Sequence, residues 1–436
     1  MTDKRTFKSR FTGTLVMLTI SAALAGQPRQ NTPAGNPNDY FPILPWDFHK
    51  PEISLKPVAD CNFTLGGFVR SQDVAHADAQ GLKVIADADL GIQGANSHRR
   101  IWRGLSDTEI DAKVKFLVET TGKSEAVIGY FIMDEPSVLD FPYLRKAVDA
   151  VKKYAPGKLA YINLFPNYAT ISSIDQMDSQ LGTQSYEEYL ERYVKEVNPQ
   201  FISYDNYMVQ YSRDMTNKKR AVSYYTNLLA VREVALKYNL PFWNIVSSHQ
   251  IRNYTTIPSM ANLLFQAYTS LAAGCDGITW YQFQQNGYNY SPVDKNQVKT
   301  STWFYLQEVN RQIALLGNFT KNLKSTGVYF ALSDSTLTLP PLPGKIIHSV
   351  NCEGNMMVGE FEDSNGGKYA MIVNLELGKS LKFTLSTPTG MEKTEIFSVS
   401  DDPEITNRFS RKELNNHKNN YWLTAGEGIL LRISQE

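Results

Sequence analysis

Cysteine is scarce in this chain of 436 residues, with only Cys61, Cys275 and Cys352. Three cysteines at those separations cannot build a disulfide framework, and they lack metal-ligand spacing. Cys61 and Cys275 stand beside predicted strands and read as buried thiols, and no thiolate-stabilising neighbourhood is visible. Histidine is also sparse, with six residues and no pair at zinc-site spacing, so no metal is expected. The chain has no phosphate loop, dinucleotide fingerprint or Gly-x-Ser-x-Gly elbow. No cofactor is expected. Neither charge sign is in excess: Lys+Arg and Asp+Glu are both 44 and the formal net charge is zero. A global field suited to nucleic acid or an anionic membrane is therefore missing.

One hydrophobic run near the N-terminus stands out. Lys4, Arg5, Lys8 and Arg10 precede the apolar stretch from Leu15 to Leu24, and Ala23-Leu24-Ala25 supplies a small-x-small cleavage pattern. The run is shorter than the roughly 20 residues of a membrane-spanning helix. It reads as a bacterial signal peptide over residues 1–25, followed by a Pro/Asn/Gln-rich disordered linker over 26–39. No Cys follows the cleavage point, which argues against a lipoprotein anchor. The expected location is the periplasm or the cell exterior, with no membrane span.

From residue 40 to 324, short apolar runs alternate with helical patterns. The strand candidates are Tyr40–Trp46, Asn62–Val69, Lys83–Asp87, Val127–Met133, Lys158–Leu164, Phe201–Tyr207, Pro241–Val246 and Gly277–Phe283. Most are continuous apolar runs, as parallel strands buried on both faces require. Ser106-Asp-Thr-Glu109 and Ser185-Tyr-Glu-Glu188 are capping boxes for two of the intervening helices. Eight strand-helix repeats over about 280 residues predict an α/β protein with a (β/α)8 TIM barrel. An open doubly wound sheet ranks second, because no Gly-rich first βα turn is present. Beyond Ser325 the strands become short and alternating, with a turn at Asp363-Ser-Asn-Gly-Gly367. Residues 325–436 therefore read as a small antiparallel β-sandwich. It is expected to act as a packing partner for the barrel, with Tyr421 and Trp422 as its candidate exposed aromatics.

Reactive groups of such barrels lie just past the C-terminal ends of the strands. Reading those positions collects Trp46 and Asp47; Arg70; Asp87 and Asp89; Asp134 and Glu135; Asn163; Asp205, Asn206 and Tyr207; His249 and Gln250; and Trp280, Gln282 and Gln284. Carboxylates, amides and aromatic rings together suit hydroxyl-rich ligands. The sharpest segment is Val127-Ile-Gly-Tyr-Phe-Ile-Met-Asp-Glu-Pro136, an apolar strand running straight into two acids. Strand alternation implies that Asp134 and Glu135 point to opposite faces, one toward the pocket. A buried carboxyl there, with a raised pKa, suits a general acid. Asp205 reads equally as a second carboxylate, a sugar-hydroxyl acceptor or a loop cap. Asn163, Tyr207, His249, Gln282 and Asp87 are candidate ligand contacts. Arg70 suits a carboxylated sugar or an ion pair, and Trp280 a stacking platform or the core.

The segment Tyr130-Phe-Ile-Met-Asp-Glu-Pro136 resembles the fourth-strand Asn-Glu-Pro signature of clan A glycoside hydrolases. Residues Gln266 to Tyr281 are similar to the passage into the eighth strand of beta-galactosidase-like barrels, and the stretch from Gly359 to Asn374 to their appended β-sandwich. The resemblance implies a carbohydrate substrate and gives Glu135 the acid/base role. Two departures stand out. Asp134 replaces the usual Asn, and the seventh strand ends Asn244-Ile-Val-Ser-Ser-His249, without the nucleophilic Glu. Asp205, Asp87 or Asp89 would then supply the second carboxylate. The expected function is a secreted glycoside hydrolase; the alternative is a non-catalytic glycan-binding barrel that has lost its nucleophile.

Overall fold

The computed structural model describes residues 40–47, 54–87, 101–122, 124–173, 179–212, 215–334, 337–391, 393–402, 404–405, 407–410 and 420–435. The signal-peptide and linker segments and Asp89 lie outside these residues. All the described residues belong to one compact unit, 34–436.

Among the described residues, eight parallel strands form one sheet. They are β1 (Ile43–Pro45), β2 (Leu65–Val69), β3 (Lys83–Ala86), β4 (Val127–Asp134), β5 (Leu159–Leu164), β6 (Ile202–Asp205), β7 (Phe242–Ser247) and β8 (Gly277–Tyr281). Neighbouring strands pair in sequence order from β2 to β8, and β8 pairs with β1. The remaining seam is bridged where Thr64 N donates to the Ile43 carbonyl at 3.2 Å and Phe68 N to the Asp47 carbonyl at 2.9 Å. Gly67 makes that approach possible: its φ is +97°, and a Cβ there would lie 2.7 Å from the Asp47 carbonyl oxygen. The sheet is a near-closed (β/α)8 barrel.

The helices are α1 (Lys56–Asp60), α2 (Val74–Ala79), α3 (Asp107–Thr121), α4 (Phe141–Tyr154), α5 (Tyr186–Arg192), α6 (Met208–Tyr211), α7 (Lys218–Tyr238), α8 (Met260–Ala272) and α9 (Ser301–Thr320). Both capping serines of the sequence sit where expected: Ser106 caps α3 in a full box, and Ser185 accepts from Glu188 N ahead of α5. The short α1, α2 and α6 carry too little periodicity to be read in advance. Strand alternation splits the apolar residues into two layers. Leu44, Trp46, Phe68, Phe131, Tyr161, Phe201, Trp243 and Ile245 fill the barrel interior, while Ile43, Val84, Ile132, Ile162, Tyr204, Val246 and Ile278 face the helices.

Beyond the barrel, a six-stranded antiparallel sheet faces a three-stranded one. The strands are β9 (Lys324–Ala331), β10 (Ser349–Cys352), β11 (Met356–Glu362), β12 (Lys368–Asn374), β13 (Leu381–Ser386), β14 (Lys393–Phe397), β15 (Phe409–Ser410), β16 (Asn420–Leu423) and β17 (Gly428–Ser434). Their orders are β15-β14-β17-β12-β11-β9 and β10-β13-β16. The turn at 363–367 closes as expected, with Asp363 N bonded to the Gly367 carbonyl. Of the two aromatics considered exposed, Tyr421 packs inward on Phe383 and only Trp422 faces out. Alternation along β16 requires this split.

The sandwich docks on α8, whose residues from Asn262 to Ala272 are all buried. A helix covered on every side belongs between two layers. Gly359 lies against the Ala272 carbonyl and Gly426 against that of Ala261, so closely that a Cβ at either would overlap the oxygen.

Candidate functional site

Strand β4 delivers the two acids, but not as simple alternation predicts. Its register with β5 slips between Phe131 and Met133. Phe131 faces the barrel interior, while Ile132 and Met133 both join the outer layer. The slip turns Asp134 inward, where its Oδ1 accepts from Asn163 Nδ2 at 3.0 Å. The strand ends there, and Glu135 adopts φ +46°, a left-handed conformation that costs energy for a residue with a Cβ. Its N–H donates to the Asn163 carbonyl at 2.8 Å. Asp134 thus faces inward, while Glu135 leaves the strand in a left-handed turn where strand alternation no longer applies. Both carboxylates act electrostatically on Asp205.

Asn163 and Asp205 arrive by regular alternation, since Tyr161 and Asn163 on β5 and Ser203 and Asp205 on β6 share the inward face. Asn163, almost wholly buried, divides its amide group. Nδ2 donates to Asp134 Oδ1 and also to Asp205 Oδ1 at 2.9 Å, while its Oδ1 accepts from Ser203 Oγ at 3.1 Å. The Ser203 hydroxyl lies 3.0 Å from that of Tyr161. Two carboxylate oxygens on one nitrogen are separated by no more than the two bonds together, about 6 Å.

Asp205 is 5% exposed. Burial pushes its pKa well above the usual carboxyl value, and the charges of Glu135 and then Asp134 push it further. The bonds from Asn163 and Tyr207 oppose that shift. Tyr207 donates its hydroxyl to Asp205 Oδ1 at 2.9 Å.

Aromatic residues wall the site. The rings of Tyr207 and Tyr281 are 5.3 Å apart, and Tyr281 OH donates to Tyr288 OH at 3.3 Å. Tyr168, 38% exposed, accepts from Tyr207 N at 3.2 Å. The His249 ring lies 4.6 Å from that of Tyr288 and 5.0 Å from that of Tyr281. Its Nδ1 is 2.7 Å from the Tyr281 carbonyl, which only accepts, so this nitrogen carries the hydrogen. Burial lowers its pKa to about 4, which leaves the ring neutral at pH 7; the bond to Tyr281 acts the other way. Its Nε2 is buried without a hydrogen-bond partner among the described residues.

Other sequence candidates fall elsewhere. Trp280, proposed as a stacking platform, is fully buried on the outer side of β8, where its Nε1 donates to Asn310 Oδ1 on α9 at 2.8 Å. The inward place belongs to Tyr281, one residue on. The Tyr281–Gln282 peptide is cis. Gln282 is also corrected: it is buried, its Nε2 lies 3.5 Å from the Asn286 carbonyl, and its own carbonyl accepts from Ser248 Oγ, so it braces its loop. Asn206 turns outward and donates to the Tyr224 carbonyl on α7. Trp46 packs edge-on against Phe68 inside the barrel. Asp47 holds the chain after β8 by accepting from Phe283 N and Gln284 N. Arg70 follows β2, and Asp87 ends β3 with its N–H on the Val69 carbonyl. Tyr168 and Tyr288 sit on loops, where no periodicity marks them. Among the described residues no group of three His, Cys, Asp or Glu side chains is arranged to hold a metal ion, and no helix is long and apolar enough to cross a membrane.

No family model and no curated protein matches the sequence. Solved structures do match in fold. A catalytic mutant of a GH42 beta-galactosidase from G. stearothermophilus superposes with a TM-score of 0.59 at 8% identity, over 91% of this chain and 98% of that one. A glycoside hydrolase family 5 structure from Bacteroides vulgatus ATCC 8482 gives 0.51 at 12% identity, over 91% and 89%. A beta-galactosidase from the psychrophilic Marinomonas ef1 gives 0.47 at 9% identity, over 66% of this chain and 62% of that one, less than two thirds of its length. The chain thus shares the fold of the first two of these structures, a (β/α)8 barrel with a C-terminal β domain.

Proposed function

We propose that the protein is a secreted glycoside hydrolase in which Glu135 and Asp205 form the catalytic carboxyl pair. The carrying observation is the acid cluster at the barrel mouth: Asp134 and Asp205 tied to one amide, Glu135 acting on Asp205, and tyrosines around them. Like charges this close resist full ionisation, and with burial they raise the pKa of Asp205 well above the usual carboxyl value. Glycosidic cleavage needs one protonated and one ionised carboxyl, and a coupled pair that resists double ionisation suits that division. Glu135, partly exposed at the strand tip, protonates the leaving oxygen. Asp205, once ionised, stabilises or captures the oxocarbenium-like centre, or activates a water against it. Asn163 and Tyr207 keep the Asp205 oxygen aimed, and the tyrosine faces stack on sugar rings.

The rival reading is a glycan-binding barrel without catalysis. It draws on the end of β7, where a neutral His249 stands in place of a carboxylate. Incubation with a panel of aryl glycosides and neutral oligosaccharides, followed by reducing-end detection, separates the two. Release from at least one substrate supports the hydrolase. Binding with no release across the panel supports the rival.

A further inference from the structure

At the C-terminal end of the barrel strands lies a concavity of about 490 Å3, lined by Gln250, Asn253, Ile257, Asn289 and Tyr290. Its walls are two loops, one after β7 and one after β8. Gln250 and Asn289 join them by exchanging both backbone hydrogen bonds, at 2.8 and 3.1 Å. The β7 loop is braced from beneath by buried Gln210, whose Oε1 accepts from Ile251 N and Thr255 Oγ1 and whose Nε2 donates to Ser247 Oγ and the His249 carbonyl. Gln250 Nε2 donates to the Thr255 carbonyl at 2.8 Å. On the β8 side, the Tyr290 carbonyl accepts from Thr302 Oγ1 at 2.8 Å. Hydrogen bonds thus tie the two loops to each other and to the residues beneath them.

Its lining has a definite chemistry. Of the described residues that line it, three are carboxamides, one a phenol and one aliphatic, and none is charged; exposed Arg252 lies in the same loop as Asn253. Carboxamides both donate and accept, as sugar hydroxyls do. Tyr290 and Ile257 are about half exposed and offer apolar surface to a ring face. The volume falls within the roughly 300–1,000 Å3 of small-molecule sites. Gln250 directly follows His249 and Asn289 directly follows Tyr288, so two lining residues adjoin, along the chain, rings of the tyrosine wall.

We propose that this cleft is a saccharide subsite that holds an uncharged sugar unit of the substrate, outside the bond to be cut. The proposal rests on the glycoside hydrolase reading and specifies its substrate class: a neutral, extended saccharide. A lining with no cation among its described residues favours uncharged hydroxyls over a uronate, whose desolvation it does little to offset.

The test uses the Glu135→Gln protein, so that binding is read without turnover. The probes are β-1,4-linked tetrasaccharides of glucose, mannose, galactose and xylose, with tetragalacturonate as the charged counterpart. Affinity is measured by titration calorimetry for that protein and for versions also carrying Asn253→Ala or Tyr290→Gly. Glycine suits the left-handed φ of +55° at Tyr290. At least one neutral probe should bind, more tightly than tetragalacturonate, and each added substitution should weaken it by about tenfold or more with an unchanged melting temperature. Absence of binding by all neutral probes, affinity unmoved by both substitutions, or preference for tetragalacturonate overturns the proposal. A wild-type protein that cleaves nothing overturns the hydrolase reading alone and leaves this binding result standing.

Discussion

Glu135 and Asp205 compete for one proton: after burial itself, the Glu135 charge contributes most to raising the Asp205 pKa, so the Asp205 carboxyl ionises as Glu135 takes up the proton. The relationship exists because β4 slips and then turns left-handed at its tip. Two neighbouring acids thereby act by charge on one buried partner on β6.

Asp205→Asn follows first. A carboxyl with a raised folded-state pKa favours the unfolded chain as pH climbs above the unfolded value, near 3.9, toward the folded one. The amide keeps the shape and the acceptor for Asn163 and Tyr207 while removing the charge. The variant is expected to melt higher than wild type at pH 7, with the gain vanishing near pH 4, and to lose about 10²-fold or more in glycoside hydrolysis. Paired melting curves at the two pH values, with rates on one substrate, check both halves.

The same shift predicts the acid limb of the rate profile. If Asp205 must be ionised to act, kcat/KM falls as pH drops through its raised pKa, well above the pH 4 of an ordinary carboxyl. A limb centred near pH 4 would contradict the assignment of Asp205.

His249 carries the opposite sign. Its pKa is depressed from 6.5 to about 4, so acid favours the unfolded chain, with the loss growing between those two pH values. Over that window it amounts to about 3 kcal/mol. Asp205, and Asp276 with a pKa raised to about 6 by burial, act in the other direction there, so the informative quantity is the difference between wild type and His249→Gln. The stability advantage of wild type over the variant should shrink as pH falls from 6.5 to 4 in urea titrations.

The seam with the sandwich gives a prediction remote from the site. A Cβ at Gly359 overlaps the Ala272 carbonyl, and overpacking of this kind costs roughly 1–3 kcal/mol. Gly359→Ala should lower the melting temperature of the whole chain in one transition. A separate early transition of the sandwich, with the barrel unmoved, would show that α8 does not couple them.

Much of this was legible in the sequence. The eight apolar runs mark eight observed barrel strands, because strands buried on both faces must be apolar along their length. Asn163 and Asp205 were readable as polar residues on the inward beat of β5 and β6. The inward turn of Asp134 was not, because a register slip leaves no compositional trace. The choice of Trp280 over Tyr281 fell to the same cause: both are aromatic, and the phase of a short strand decides which one faces in. Tyr168 and Tyr288 sit on loops, where contacts across the mouth place the rings and no local pattern does.

The most direct test is the rate of Glu135→Gln on a substrate that the wild type cleaves, with circular dichroism and melting temperature showing an intact fold. The account predicts a loss of about 10²-fold or more, since the amide holds no proton to give the leaving oxygen. A variant that turns over at the wild-type rate would contradict it.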